Sequence, residues 1–255
     1  MIKYIGLHLK SEMQYKMSFA LSFTAQFLLF FTYYFVIMSL FNKFNGLKDY
    51  TLAELLFCFA VIQIGYSMAA FLLIGFDQFD NLIKSGGFDR LLIRPENIYT
   101  QIMGSNIPFA RLGKVIQSIV ILLIAIFMLE VDWTILKALT TILMILGSFS
   151  IFAGIIILGA SLCFFTIEGL EVRNVFTDGG RETAQYPIDI YPRQFKLFFT
   201  FIIPYALVNY YPLLYIIGRS NNYLYSILPL VAIMFIILPI FIFNYCLRFY
   251  KSSGS

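Results

Sequence analysis

The groups that could do chemistry in this sequence are few and scattered. His8 is the single histidine, so no multi-histidine or His–Cys metal set can be assembled within one chain. Cys58, Cys163 and Cys246 each sit inside an apolar run. An odd, dispersed set without C-x-x-C spacing reads as buried thiols rather than a disulfide framework or a zinc site. The phosphate-cradling pattern G-x-x-x-x-G-K-S/T is absent, so the chain is not its own ATPase of that class. A G-x-S-x-G nucleophile elbow is absent too. Carboxylates occur only in loops and at the ends of apolar stretches, which leaves an intramembrane enzyme hard to assemble. The expectation is a non-enzyme with no catalytic, cofactor-binding or metal-binding residues of its own.

A second expectation follows from where charge is missing. No Asp, Glu, Lys, Arg or His lies deep inside any long apolar stretch. Proton- and ion-coupled carriers normally need ionisable groups at depth, because something must bind the coupling ion. Coupling through backbone carbonyls stays open, yet the pattern points to work supplied from outside the bilayer. Aromatic side chains crowd the same stretches, among them Tyr33, Tyr34, Tyr210, Tyr211 and Tyr215. They fit either a pathway for a lipid-like or aromatic substrate, or interfacial belting and core packing.

The elements that carry these residues are membrane spans. The chain has 255 residues, is 60% hydrophobic and only 13% charged, against about 25% charged in a soluble domain. A spanning helix needs roughly 20 mainly apolar residues, and six stretches qualify, at about 17–41, 55–76, 112–130, 138–167, 197–218 and 223–247. The third needs Lys114 to snorkel, and Pro204 and Pro212 interrupt the fifth. The first is too long for a signal-peptide core of about 7–15 residues and has no A-x-A-like site after it. Residues 1–255 therefore form a single all-α integral membrane domain.

Basic residues stay on the cytoplasmic side of short loops. With the N-terminus inside, fourteen of the 18 Lys and Arg fall on the cytoplasmic face, against Lys43, Lys48, Lys137 and Arg219 outside. Both termini are then cytoplasmic.

Residues 1–16 place Ile2, Ile5, Leu9 and Met13 on one helical face, the pattern of an amphipathic helix in the cytoplasmic interface. It is either a plain anchor or an elbow that passes a push into the spans. The outer loops at 42–52 and 131–136 are short, so a partner should dock on the cytoplasmic side. There, 77–111 holds Gly86-Gly87, a cheap helix break, followed by a short helix that Pro95 stops. Such a helix with an exposed aromatic, Phe88, suits a partner's groove; a plain surface turn fits the spacing equally. The charges between Glu168 and Lys196 forbid a simple lipid-facing span. That stretch reads as a cytoplasmic helix, a Gly179-Gly180 break and an extended strip bounded by Pro187 and Pro192.

The chain resembles the permease subunits of bacterial ABC exporters of the second exporter class, more narrowly a subfamily once listed as a domain of unknown function. The resemblance rests on Gly87-Phe88-Asp89-Arg90-Leu91-Leu92-Ile93-Arg94-Pro95, on Tyr186-Pro187-Ile188-Asp189-Ile190-Tyr191-Pro192, on Ile203-Pro204-Tyr205 through Tyr211-Pro212, and on the ending Tyr250-Lys251-Ser252-Ser253-Gly254-Ser255. It implies a six-helix subunit of a bacterial inner membrane, paired with a second permease of the same or homologous sequence and with separate ATPase subunits that hold ATP and Mg. It assigns Phe88, Asp89, Arg90, Leu91, Leu92, Arg94 and Pro95 to a coupling helix against the ATPase, and 1–16 to the elbow. Pro204, Tyr210, Tyr211 and Pro212 become candidates for re-entrant helices at an outer gate. The chain departs from the family where Glu168–Gln185 is polar instead of an apolar fifth span: either 197–218 is the fifth span, the reading kept here, or the polar stretch crosses while shielded by partners. A stand-alone carrier or channel, and a membrane sensor or immunity protein of the same architecture, are the competing readings. No nucleic-acid partner is expected.

Overall fold

In hydrocarbon a backbone must satisfy its own N–H and C=O groups, and a helix does so within one segment. The computed structural model describes Gly6 and residues 11–44, 50–166 and 173–250, and it is all-α in kind. Most of the expected elbow helix and the tail after Tyr250 lie outside the described residues. The long helices are α1 (Lys16–Phe44), α2 (Leu52–Leu72), and, after the short α3 (Ile74–Asp77), α4 (Phe79–Lys84), α5 (Gly87–Leu92) and α6 (Ile98–Met103), the helices α7 (Leu112–Met128) and α8 (Ile135–Leu162). They are followed by α9 (Gly180–Ala184), α10 (Arg193–Phe201), α11 (Ala206–Asn209), α12 (Tyr211–Ile216), α13 (Leu224–Met234) and α14 (Ile237–Leu247). Among the described residues, four helical stretches are long and apolar enough to cross a membrane: Leu52–Leu72, Phe109–Met128, Ile135–Leu162 and Leu224–Leu247. The bent pair Arg193–Phe201 and Ala206–Ile216 would make a fifth if it counted as one span. The chain is a multi-pass membrane protein.

The axis of the bundle is α2. It is apolar all round, and a helix of that kind belongs in the interior; Leu55 through Ile62 are wholly buried. It packs on α7 and α8. Close approach to α8 needs Gly65, since a Cβ there would strike Ser148. Thr51 and Glu54 start α2 with a reciprocal capping box. Its far end breaks at Leu73, so the expected 55–76 span is a shorter helix followed by the turn α3. Likewise α8 ends at Leu162, short of the expected 167. On its other side α8 meets α13 and α14, with Gly147 against Pro229 and Gly154 against Phe235.

One expectation needs correction. The Gly179-Gly180 pair is no break: both glycines have helical dihedrals, and a π-helical turn, Val175–Gly179, runs straight into α9. The reason is packing, because a Cβ on Gly180 would meet the Tyr205 hydroxyl at 2.6 Å. The fifth span expected over 197–218, interrupted by Pro204 and Pro212, is two helices bent by 88°, the geometry of a broken span or a re-entrant loop. Both ends of that pair lie beside the start of α2. Tyr50 donates to Asp189 at 2.9 Å just before the pair, and Arg219 reaches Glu54 at 3.1 Å just after it.

The segment 173–190 instead follows α2 from end to end. Arg173 bonds Asp77 beyond the Leu72 end, Asp178 accepts from Tyr66, Ala184 and Tyr186 accept from Asn209, and Asp189 accepts from Tyr50 beyond the Leu52 end. It is not confined to one face of the bundle.

Candidate functional site

Two places in the fold combine charge, burial and exposed surface in a way that packing alone does not require.

The first is the end of the molecule beyond α2. Gly86 takes a left-handed φ of 64°, which lets the chain turn sharply out of α4 into α5. The turn drives Phe88 inward, where it is fully buried. Its ring lies 4.9 Å from Phe79, 4.9 Å from Tyr250 and 5.8 Å from Phe164, in the edge-on arrangements aromatic rings prefer. The expectation of an exposed aromatic knob at Phe88 is therefore wrong. That side chain joins α5 to α4, to Phe164 just past α8 and to Tyr250 just past α14. Tyr250 closes the joint by donating its hydroxyl to Asp89 at 3.0 Å; burial first, and then this bond, push its pKa up to about 12. Arg90, Leu92, Arg94 and Pro95 face outward, with Leu91 half-buried. The most exposed large apolar side chain here is Ile93, at 83%.

The second place is a charged seam between α2, α7, α8 and the 173–182 turn. Arg173 is 7% exposed, and its guanidinium donates to the Asp77 carboxylate and to the Asp77 carbonyl oxygen, each at 2.9 Å. Its Nη2 also bonds Asn174 at 2.6 Å. Tyr66 donates to Asp178 at 3.0 Å, while the Arg181 guanidinium lies 4.8 Å from the Tyr66 ring and pairs with Glu182 at 2.6 Å. At a rise of about 1.5 Å per residue, Tyr66 lies about 9 Å inside the Leu72 end of α2. A cavity of about 140 Å³ opens here, lined also by Arg111 and Lys114. The apolar stretches themselves are free of deep charge as expected, but the interior they build is not, because the polar segment delivers Arg181 and Asp178 to Tyr66.

At the opposite end, burial and the nearby Asp189 carboxylate raise the Tyr50 pKa, and Arg219 stacks over the Tyr50 ring at 4.7 Å while pairing with Glu54. Pro204 is buried at the bend between α10 and α11, and Pro212 sits in the first turn of α12. Tyr210 and Tyr211 pack at 5.0 Å, with the Lys196 ammonium 4.3 Å from the Tyr210 ring. Tyr215 packs with Tyr223. The side chain of Tyr33 lies outside the description.

Sequence reasoning missed Tyr66, Asp77, Arg173 and Asp178 as a set, and Asn209 as the clamp on 184–186. The charges at 173, 178, 181 and 182 recur at helical spacing, a signal of one continuous amphipathic turn. Asn209, alone among apolar neighbours, signals a buried polar group that must be hydrogen-bonded.

No curated protein and no solved structure matches the chain. A family model described as ABC-2 family transporter protein matches residues 27–254. That match covers most of the spans, the α5 turn and the bent pair, and a family of this kind supplies the membrane part of a transporter whose ATPases are separate chains. The chain belongs to the ABC-2 family of transporter proteins, as a permease of the ABC-2 type.

Proposed function

We propose that this chain is the membrane-spanning half of an ATP-driven exporter in a bacterial cytoplasmic membrane, working with a second permease and two ATPase subunits. Six crossings are made by α1, α2, α7, α8, the polar segment 173–190, and α13 with α14, which puts both termini on the cytoplasmic side. The α10–α12 pair dips in from the outer face and returns. Arg193 and Lys196 then move to the outer side, and the excess of Lys and Arg on the inner side persists.

The observation that carries the reading is the α5 turn. Ile93 projects at 83% exposure between Arg90 and Arg94, while Phe88 behind it is locked into the same aromatic cluster as Phe76, Phe79 and Phe243. A force on Ile93 is thereby passed to α3, α4 and α14 together. ATP-driven closure of the ATPase pair moves this turn and tilts the bundle.

Ile93→Asp places a charge where an ATPase groove would receive an apolar side chain. The variant should insert and fold normally, yet lose co-purification with the ATPase and lose nucleotide-driven transport. Full retention of both would remove the coupling role of this turn. A second reading is favoured by the Tyr66–Asp178–Arg181 cluster, which could serve an ion-coupled carrier. Uphill transport by the lone chain in proteoliposomes on a proton or sodium gradient, without nucleotide, would establish that reading instead.

A further inference from the structure

Arg173 has two faces. Its guanidinium lines the polar cavity of about 140 Å³ with Arg111, Lys114, Asp77 and Asp178. Its Cβ, Cγ and Cδ lie against Gly159 and line a separate groove of about 560 Å³ between α8, α10 and α14. That groove is walled by Leu162, Phe165, Phe176, Ile202 and Leu238, side chains that are exposed on the bundle's flank, and Arg173 is its one charged member among the described residues. An apolar groove on a spanning surface takes hydrocarbon, and its polar end sets what head group the hydrocarbon can carry.

Charge decides that head group. The polar cavity is lined by three basic side chains and two carboxylates, and Arg181 beside it is matched by Glu182. The excess is positive. The Arg173 Nε is buried and has no hydrogen-bond partner among the described residues, so one donor of a nine-tenths buried guanidinium is unused there. Leaving such a donor unmet is costly, and an anionic oxygen would meet it with a charge-assisted bond.

We propose that this region is a binding site for an amphiphile with an anionic head group, its hydrocarbon in the groove and its head at Arg173, backed by Lys114 and Arg111. This names a substrate class for the permease and rests on that reading for the cargo role; the binding itself does not depend on it.

The test is native mass spectrometry of the full chain in neutral detergent, titrated with dioleoyl phosphatidylglycerol, dioleoyl phosphatidylcholine or inorganic phosphate. Phosphatidylglycerol should bind about tenfold more tightly than phosphatidylcholine, the size of one charge-assisted hydrogen bond. Lys114→Gln, at a half-buried position, should erase most of that preference. Lys84→Gln, a surface lysine paired with Asp80 that lines neither the polar cavity nor the groove, should keep it. Equal binding of the two lipids would overturn the proposal, as would a preference that Lys114→Gln leaves intact or that Lys84→Gln erases equally. Phosphate that binds alone and displaces the lipid would overturn the lipid source in favour of a free anion. None of these readings needs an ATPase, so failure of coupling through Ile93 and failure of this site are separable.

Discussion

Tyr250 and Phe88 show how much one side chain can hold at the end of this bundle. The Tyr250 ring packs edge-on against Phe88 while its hydroxyl bonds Asp89, so a residue just past α14 fixes the α5 turn. Tyr250→Phe keeps the ring and loses the bond, and should lower stability by about 1 kcal/mol. Phe88→Ala empties a buried aromatic site and should cost about 3–5 kcal/mol. Thermal unfolding of the purified chain in detergent measures both. If Phe88→Ala proved as stable as the parent, the cluster would not be the rigid joint described above.

Paired glycines illustrate the element scale. At Gly86-Gly87 the backbone enters left-handed space and the chain turns; at Gly179-Gly180 it stays helical because the Tyr205 ring occupies the space beside it. The same dipeptide is thus a corner in one place and a contact surface in the other. Asn209 is the matching clamp: fully buried, it donates to the Ala184 carbonyl at 2.6 Å and the Tyr186 carbonyl at 2.9 Å. These bonds tie the bent pair to the polar segment. Asn209→Leu keeps the volume and strands the buried Ala184 carbonyl, at about 1–3 kcal/mol, and the half-buried Tyr186 carbonyl at less. It should lower the midpoint of thermal unfolding and loosen 184–190 to protease. An unchanged midpoint would mean that water or rearrangement replaces the clamp.

At the scale of the whole molecule the question is which segment crosses fifth. Cysteine labelling answers it, because the three native cysteines are buried. With the polar segment crossing, Arg193→Cys and Asn221→Cys should both react with an impermeant maleimide from outside, and Ile93→Cys only after the membrane is opened. A straight fifth span over 197–218 requires residue 193 to be protected from outside. Labelling of Asn221→Cys alone would restore that topology.

Long apolar runs, the lack of charge within them and the skew of Lys and Arg are properties of composition along the chain, so membrane class and most of the spans were legible without coordinates. Capping of α2 was written in Thr51 and Glu54 as well. Hydropathy could not tell that Phe88 faces inward, that Gly180 packs against Tyr205, or that a polar stretch runs beside α2; the 88° bend in the apolar stretch was signalled by Pro204 and not by hydropathy. A window average scores each residue as if lipid surrounded it. In the folded chain Arg173 and Arg181 are surrounded by Asp77, Glu182 and the Tyr66 ring, and buried charge is tolerable only when such partners arrive from elsewhere in the sequence. Those meetings over long separations are what the tertiary structure alone decided.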